Sequence, residues 1–333
     1  MKKVAIITSG GDGSGINSAI EMISRENMID LYGFHDGFKG ILNNDLVHLT
    51  NQYCQHNSLN GKQFVRTART DAIYNKKNRQ RIKNILDNNN FSYLIICGGN
   101  GSQKAAKLLF EEGIKTIFIP MTVDNDVKDS EYTIGFDTAL NRINQTVHDI
   151  HDTAYNMPGR IFMIEVLGGD CGNLALCSAV SSGSDLAIIP EYSTDKLKIT
   201  KLIEEKLKIK DSVIIICSES SYDTSSYKTG QQGVSFEIGS YIEEKLNIRV
   251  RKTVMGFSIR SGSPTYRDAM ISAQMGFFAK ECILNNDEGI KICLINGEVK
   301  AKNYYENIEY SNENHLDKDI VKIAINNQVI IGG

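Results

Sequence analysis

Apolar residues along this chain collect in short unbroken runs, separated by stretches with helical spacing. The runs Val4–Thr8, Tyr93–Cys97, Lys115–Pro120, Ile161–Val166, Leu186–Pro190, Val213–Cys217 and Lys291–Ile295 read as strands. They are continuous in Val, Ile and Leu instead of alternating with polar residues, which marks strands buried on both faces. Such strands, joined by helices, build parallel sheets. The expected class is α/β: two doubly wound, Rossmann-like lobes with mainly parallel sheets, a fit to 333 residues. No linker of biased composition and no fixed-period repeat interrupts the pattern.

Four of these strands run directly into small or polar residues. The first leads into Ser9-Gly10-Gly11-Asp12-Gly13-Ser14-Gly15 and a helix from about Asn17. Tyr93–Cys97 leads into Gly98-Gly99-Asn100-Gly101-Ser102 and the helical stretch Lys104–Glu112. Lys115–Pro120 leads into an acidic segment, and Ile161–Val166 into Gly168-Gly169-Asp170-Cys171-Gly172. In open parallel sheets ligands bind beyond the carboxyl ends of strands, where glycine lets amides approach a phosphate and a helix N-terminus adds a positive dipole end. One such loop alone reads better as a tight structural turn, whereas two beside an acidic strand end are harder to dismiss. Neither of the first two loops has the Walker Gly-Lys-Ser/Thr ending or the dinucleotide GxGxxG order.

The acidic segment is Thr122-Val123-Asp124-Asn125-Asp126. If it is extended, residues 122, 124 and 126 share one face and present a hydroxyl and two carboxylates beside the glycine loops. Phosphoryl transfer to an alcohol uses one carboxylate to accept the hydroxyl proton and another to help hold magnesium. A solvated Asp-Asn-Asp turn or a helix cap is the plainer alternative.

Composition narrows the partners. A net charge of −3 gives no general attraction to nucleic acid or anionic membrane, so anion binding falls to a few placed basic residues and amides. The apolar runs are too short to span a bilayer, and no signal-peptide pattern follows Met1. The seven scattered cysteines form no CxxC pair and read as reduced, mostly buried thiols in a cytoplasmic protein. The six histidines show no metal-ligand spacing.

Taken together and in order, SGGDGSGINSAI at 9–20, GGNGS at 98–102, TVDND at 122–126, TIGFDTA at 133–139, GRIFMIEVLGGDCG at 159–172 and RKTVMGFSIRSGSP at 251–264 resemble the ATP-dependent 6-phosphofructokinase family of bacterial type. The resemblance implies a nucleotide-binding lobe (1–137 plus about 258–310) and a sugar-phosphate-binding lobe (138–257 plus about 311–333). It implies transfer of phosphate from ATP to the 1-hydroxyl of fructose 6-phosphate in glycolysis. Asp124 would be the base with Thr122 beside it, and Asp126 would organise magnesium. Gly11, Arg69, Gly101 and Ser102 would lie along the ATP phosphates. Arg160, Arg251 and Arg260 would grip the sugar phosphate, and Glu219 would accept from a sugar hydroxyl. A planar guanidinium matches phosphate oxygens two at a time. The family's sugar site is completed by a neighbouring subunit, which implies a homo-oligomer, expected as an allosteric tetramer.

The chain departs from that pattern at named places. Asn100 stands where the family has a magnesium-serving aspartate; an amide keeps an oxygen but drops a charge, so metal affinity should fall. Met121 stands where ATP-using members have glycine and pyrophosphate-using members lysine, and its thioether is expected to crowd the phosphates. Phe257 replaces a histidine of the sugar-phosphate loop and Gly169 an arginine near the transferring group. Gly101 speaks against the pyrophosphate type, which has aspartate there. Glu21 and His151 stand where effector-binding arginines occur, while Arg25 and Asp185 match. A pyrophosphate-dependent enzyme and a ligand-binding regulatory subunit remain the alternatives.

Overall fold

The computed structural model describes residues 1–192, 195–221, 233–306 and 316–329. His315 and the expected boundary near 310–311 lie outside them. The chain divides into two compact units, Met1–Thr138 with Arg260–Ser311, and Ala139–Ile259 with Asn312–Gly333.

The first unit holds β1 (Lys2–Ser9), β2 (Ile29–Phe34), β3 (Leu46–His48), β4 (Tyr93–Gly98), β5 (Thr116–Pro120), β10 (Ile290–Ile295) and β11 (Glu298–Asn303). The second holds β6 (Arg160–Val166), β7 (Leu186–Ile188), β8 (Ser212–Ser218) and β9 (Val250–Val254). The first sheet runs β11-β10-β5-β4-β1-β2-β3 and the second β7-β8-β6-β9. Pairing is parallel throughout except at the two ends of the first sheet, where β3 and β11 run antiparallel to their neighbours. Both units are thus α/β with mainly parallel sheets.

Burial explains which strands form from simple apolar runs. In the first unit alternate residues Ala5, Ile7, Leu94, Ile96 and Phe118 pack under the helices Gly37–Asn43, Lys76–Asn88 and Asn100–Glu111. The helices Ile16–Ser24 and Tyr266–Asn285 pack together on the other side. They approach so closely that a Cβ on Gly276 would lie 2.5 Å from the Ala19 carbonyl. In the second unit Ile161, Met163, Val213, Ile215 and Cys217 form a core with Ile199, Ile203, Ile238 and Ile242 from the helices Lys196–Leu207 and Val234–Leu246. Each such buried side chain contributes about 1.5–3 kcal/mol.

The strand candidates all carry strands, with ends shifted by a residue or two; β7 stops at Ile188, short of Pro190. β2, β3, β9 and β11 have no counterpart among the apolar runs. β3, β9 and β11 are edge strands with charged or exposed positions, and Asp30 and Gly33 interrupt β2.

The strand order reverses between β1 and β4: β2 follows on one side of β1, and β5 lies beyond β4 on the other. A crevice beyond the carboxyl ends of β1 and β4 is the expected ligand position in such a sheet. No described helix is long and apolar enough to cross a membrane.

Candidate active site

A cavity of about 320 Å³ opens at that reversal point, lined by Ser9–Gly11, Arg69–Asp71, Tyr74, Gly99–Ser102, Thr122, Asp124 and Asp126. Each wall has a local cause. Beyond β1, Gly10 adopts φ +100°, and its amide donates to the Ala68 carbonyl at 3.2 Å. Thr67 Oγ1 donates to the Gly10 carbonyl at 3.1 Å, and a bridge joins Ser9 to Ala68. Arg69 therefore stands in a loop tied to the first glycine loop, just ahead of the one-turn helix Asp71–Tyr74. Gly11 makes room for a cation: a Cβ there would lie 2.1 Å from Arg260 Nη1. The Arg260 side chain is buried, with Asp12 at 3.9 Å.

The second wall begins at Gly98, where a Cβ would meet the Ser9 carbonyl at 2.3 Å and Ser102 Oγ at 2.5 Å. Gly99 caps the helix Asn100–Glu111 without a side-chain hydrogen bond, and the first residues of this helix, Asn100–Ser102, line the cavity. Ser102 Oγ donates to the Ser9 carbonyl at 3.1 Å and locks the two loops together.

The third wall corrects one expectation: residues 122–126 are not extended but form a turn. Asn125 takes φ +52°, a region asparagine tolerates. Its Oδ1 accepts from the Thr133 amide at 2.8 Å, and Thr133 Oγ1 donates to the Thr122 carbonyl at 2.6 Å. The Thr122 hydroxyl accepts from the Asp124 amide and donates to Asp124 Oδ2, both at 3.2 Å. The turn still delivers Thr122, Asp124 and Asp126 to one cavity. Met121 does not crowd that cavity. It is fully buried and bridged to Ile134, with its Cγ beneath Gly13.

Asn100 and Asp126 form a pair. Asn100 Oδ1 accepts from the Lys128 amide at 3.3 Å, which assigns its orientation, since an N–H must meet an oxygen. Its Nδ2 then donates to Asp126 Oδ2 at 3.0 Å and to the Asp126 carbonyl at 2.9 Å. The amide presents a donor to the carboxylate and spends its oxygen on backbone. Among the described residues no group of three or more His, Cys, Asp and Glu is arranged to hold a metal. At this corner Asp126 is a carboxylate within reach of a divalent cation in the cavity, while Asn100 offers it a donor instead of a second charge.

In the second unit the candidates fall into two places. Glu219 follows β8 directly; its amide donates to the Val166 carbonyl, and its Oε1 accepts from the Gly169 amide at 3.2 Å. Gly169 has φ +59°, which favours glycine over the arginine of the resembling family. Arg160 opens β6 opposite Ser212, and Arg251 lies on β9 opposite Phe162. The two arginines therefore share one face of the sheet near its amino-terminal edge. Glu219 is seven residues along from Ser212, so roughly 20 Å separates it from Arg160.

Other residues singled out above are tied locally. Glu21 pairs with Arg25 at 2.6 Å, Asp185 pairs with Lys210, and His151 Nε2 lies 3.1 Å from the Ser182 carbonyl. All seven cysteines are unbridged, and burial pushes Cys54 and Cys282 up to about 11, which keeps them protonated. Sequence reasoning missed Tyr74, whose hydroxyl donates to the Gly101 carbonyl at 3.3 Å; its position soon after Arg69 was the available clue. It also missed Asp268, fully buried, which accepts from Tyr132, Gly135 and Thr138. Burial raises its pKa against the pull of those hydrogen bonds.

Two glycine loops, an uncapped helix N-terminus and an acidic turn at the reversal point of a doubly wound sheet define an α/β phosphate-binding protein. Comparison with known proteins makes this specific. The family described as Phosphofructokinase matches residues 3–283. The ATP-dependent 6-phosphofructokinase of Macrococcus caseolyticus (strain JCSC5402) is 32% identical over 329 residues, covering 97% of this chain and 98% of the relative. The enzyme of the same name from Clostridium botulinum (strain Alaska E43 / Type E3) is 33% identical over 330 residues, with the same coverage. The chain belongs to the phosphofructokinase family. Among solved structures, phosphofructokinase from Saccharomyces cerevisiae superposes with TM-score 0.84 at 23% identity, over 98% of this chain and 50% of that one. A pyrophosphate-dependent phosphofructokinase from Marinobacter aquaeolei gives 0.81 at 16%, over 100% and 93%. These likenesses carry the fold alone and do not choose a phosphoryl donor.

Proposed function

We propose that the chain is a cytoplasmic ATP-dependent 6-phosphofructokinase, converting fructose 6-phosphate and ATP to fructose 1,6-bisphosphate and ADP. The observation that carries this reading is the acidic turn set in a cavity between two glycine loops. Relatives named for ATP dependence, at 32–33% identity over nearly the whole chain, support the donor. Asp124 takes the proton of the sugar's 1-hydroxyl as that oxygen bonds to the γ-phosphorus and the bridging oxygen leaves with ADP. Thr122, donating to Asp124 Oδ2, fixes the carboxylate's orientation. The amides of Gly11, Gly101 and Ser102 and the Arg69 guanidinium hold the donor phosphates, aided by the positive end of the helix Asn100–Glu111. Magnesium, when bound, supplies charge to the phosphate oxygens, and Asp126 is the residue that would hold it.

Arg160, Arg251, Arg260 and Glu219 are the proposed sugar-phosphate residues. The separation of Arg160 and Arg251 from Glu219 within the second unit supports a site completed by a second copy, hence a homo-oligomer, expected as a tetramer. The test is a panel of fructose 6-phosphate and related sugar phosphates with magnesium and either ATP or pyrophosphate. Fructose 1,6-bisphosphate formed with ATP supports the proposal, and product with pyrophosphate alone moves the donor. No product from either donor leaves a ligand-binding regulatory subunit, which direct titration of both ligands would detect.

A further inference from the structure

The acidic turn has no regular hydrogen-bond ladder of its own. It is held by the segment that follows it. The Ile134 amide donates to the Pro120 carbonyl at 3.1 Å, the Thr133 amide to Asn125 Oδ1, and Thr133 Oγ1 to the Thr122 carbonyl. The Asn125 amide group donates to the Glu131 carbonyl at 3.2 Å. The first glycine loop rests on the same segment: a Cβ on Gly13 would lie 2.8 Å from the Ile134 carbonyl. Residues 131–135 therefore set the relative height of two walls of the cavity.

Glu131 ties the start of this segment to the Leu294 carbonyl and to the Asn296 and Gly297 amides, and one buried carboxylate anchors the rest. Asp268, on the first turn of the helix Tyr266–Asn285 behind the cap residue Thr265, is fully buried. Its Oδ1 accepts from the Tyr132 hydroxyl at 2.6 Å and the Gly135 amide at 2.8 Å. Its Oδ2 accepts from the Thr138 amide at 2.7 Å and the Thr138 hydroxyl at 2.5 Å. Gly15, at φ +114°, leaves room for it: a Cβ there would come within 3.3 Å of Asp268 Cβ. Four donors on one buried carboxylate occupy all of its acceptor sites and tolerate no acceptor-to-donor exchange.

We propose that Asp268 is a positioning residue for phosphoryl transfer, fixing the 131–138 segment so that Asp124 and Thr122 stand at a set distance from the donor phosphates. The inference rests on the kinase reading above. Asp268 itself touches no substrate; it acts through Tyr132, Gly135 and Thr133.

The test uses the full chain with Tyr132→Phe, which deletes one donor, and Asp268→Asn, which turns a donor against Thr138 or Gly135. Displacing a reacting group by about 1 Å costs on the order of 10²-fold in rate, so kcat should fall roughly 10- to 100-fold in Asp268→Asn and less in Tyr132→Phe, measured well below each melting temperature. KM for ATP should change less than kcat, because Gly101 and Ser102 hang from β4 and only the first glycine loop leans on this segment. Hydrogen exchange at amides 122–126 should quicken in both variants. The proposal is overturned if the variants melt earlier yet keep wild-type kcat and wild-type exchange at 122–126, the outcome of a purely structural role. Where Asp268→Asn does not fold, Tyr132→Phe decides alone. A wild-type chain with no kinase activity refutes the functional reading instead, and the exchange measurement still judges the anchoring.

Discussion

Replacing Asn100 with aspartate changes one atom's chemistry at a place where the surroundings are known. In the wild-type chain Nδ2 donates to Asp126 Oδ2 at 3.0 Å, while Oδ1 serves the Lys128 amide. In Asn100→Asp the Lys128 amide keeps its acceptor, but two carboxylate oxygens face each other across roughly the same gap. Two unit charges about 4 Å apart repel by ~4 kcal/mol at an effective dielectric of about 20. Both residues are half-exposed, so screening reduces this to about 1–2 kcal/mol, and the lost hydrogen bond adds ~1 kcal/mol. The like charge raises a carboxyl pKa within the pair, and protonating either carboxyl removes the repulsion. The sign follows: a carboxyl with a raised folded pKa is stabilised in acid and loses that stability as pH rises through it. The variant should therefore melt several degrees below wild type at neutral pH in chelator, with the deficit narrowing in acid. Magnesium should restore it, because the pair now offers two charged ligands, and half-saturation of activity by free magnesium should fall. Melting curves at two pH values, with and without magnesium, give the answer without turnover. A variant that melts like wild type in chelator and gains nothing from magnesium would refute the pairing described for Asn100.

Asp124→Asn should lower kcat by roughly 10²- to 10⁴-fold while calorimetric affinity for ATP stays near wild type; a loss under tenfold removes Asp124 from the role of base. Gly98→Ala should fail to fold or lose at least ~1–3 kcal/mol, because its methyl would meet the Ser9 carbonyl at 2.3 Å. Gly99→Ala, whose nearest neighbour is Thr122 Cβ at 3.8 Å, should melt close to wild type. Glu243 has its pKa lowered chiefly by the hydrogen bond from Lys252 at 2.7 Å, so its contribution exists above the ordinary value of 4.5 and is lost as pH falls through the lowered one. Glu243→Gln should cost about 0.5–1 kcal/mol at neutral pH and nothing in strong acid, read from denaturant melts at both.

The parts of the fold that were legible in the sequence are those where burial on both faces forces an unbroken apolar run, as in Tyr93–Cys97 and Val213–Cys217. Val250–Val254 escaped because an edge strand tolerates Arg251 and Lys252, and Glu298–Asn303 for the same reason. At the site, residue types disclosed the loops and the carboxylates, since glycine and aspartate are there for chemistry that leaves little choice. Their arrangement was not disclosed. The bend at Asn125 depends on Thr133 and, behind it, on Asp268 from a distant helix. Arg260 resting against Gly11, and the Asn100 oxygen turned to Lys128, are likewise long-range facts that no local pattern carries. Met121 read as an obstruction because its neighbours in sequence touch the cavity, whereas its own side chain points into the core.

The distance along β6 and β8 between Arg160 and Glu219 has a genetic consequence. If every working site borrows its arginines from a second copy, the unit of function is not the polypeptide. A chain carrying Asp124→Asn and a chain carrying Arg160→Ser would each be inactive alone. Assembled together, they would leave some sites with an intact carboxylate from one and an intact arginine from the other, about a quarter of them under random mixing in a closed symmetric assembly. Two null alleles in one cell would then support growth where neither does alone, and a chain with both substitutions would disable about half of its wild-type companion's sites.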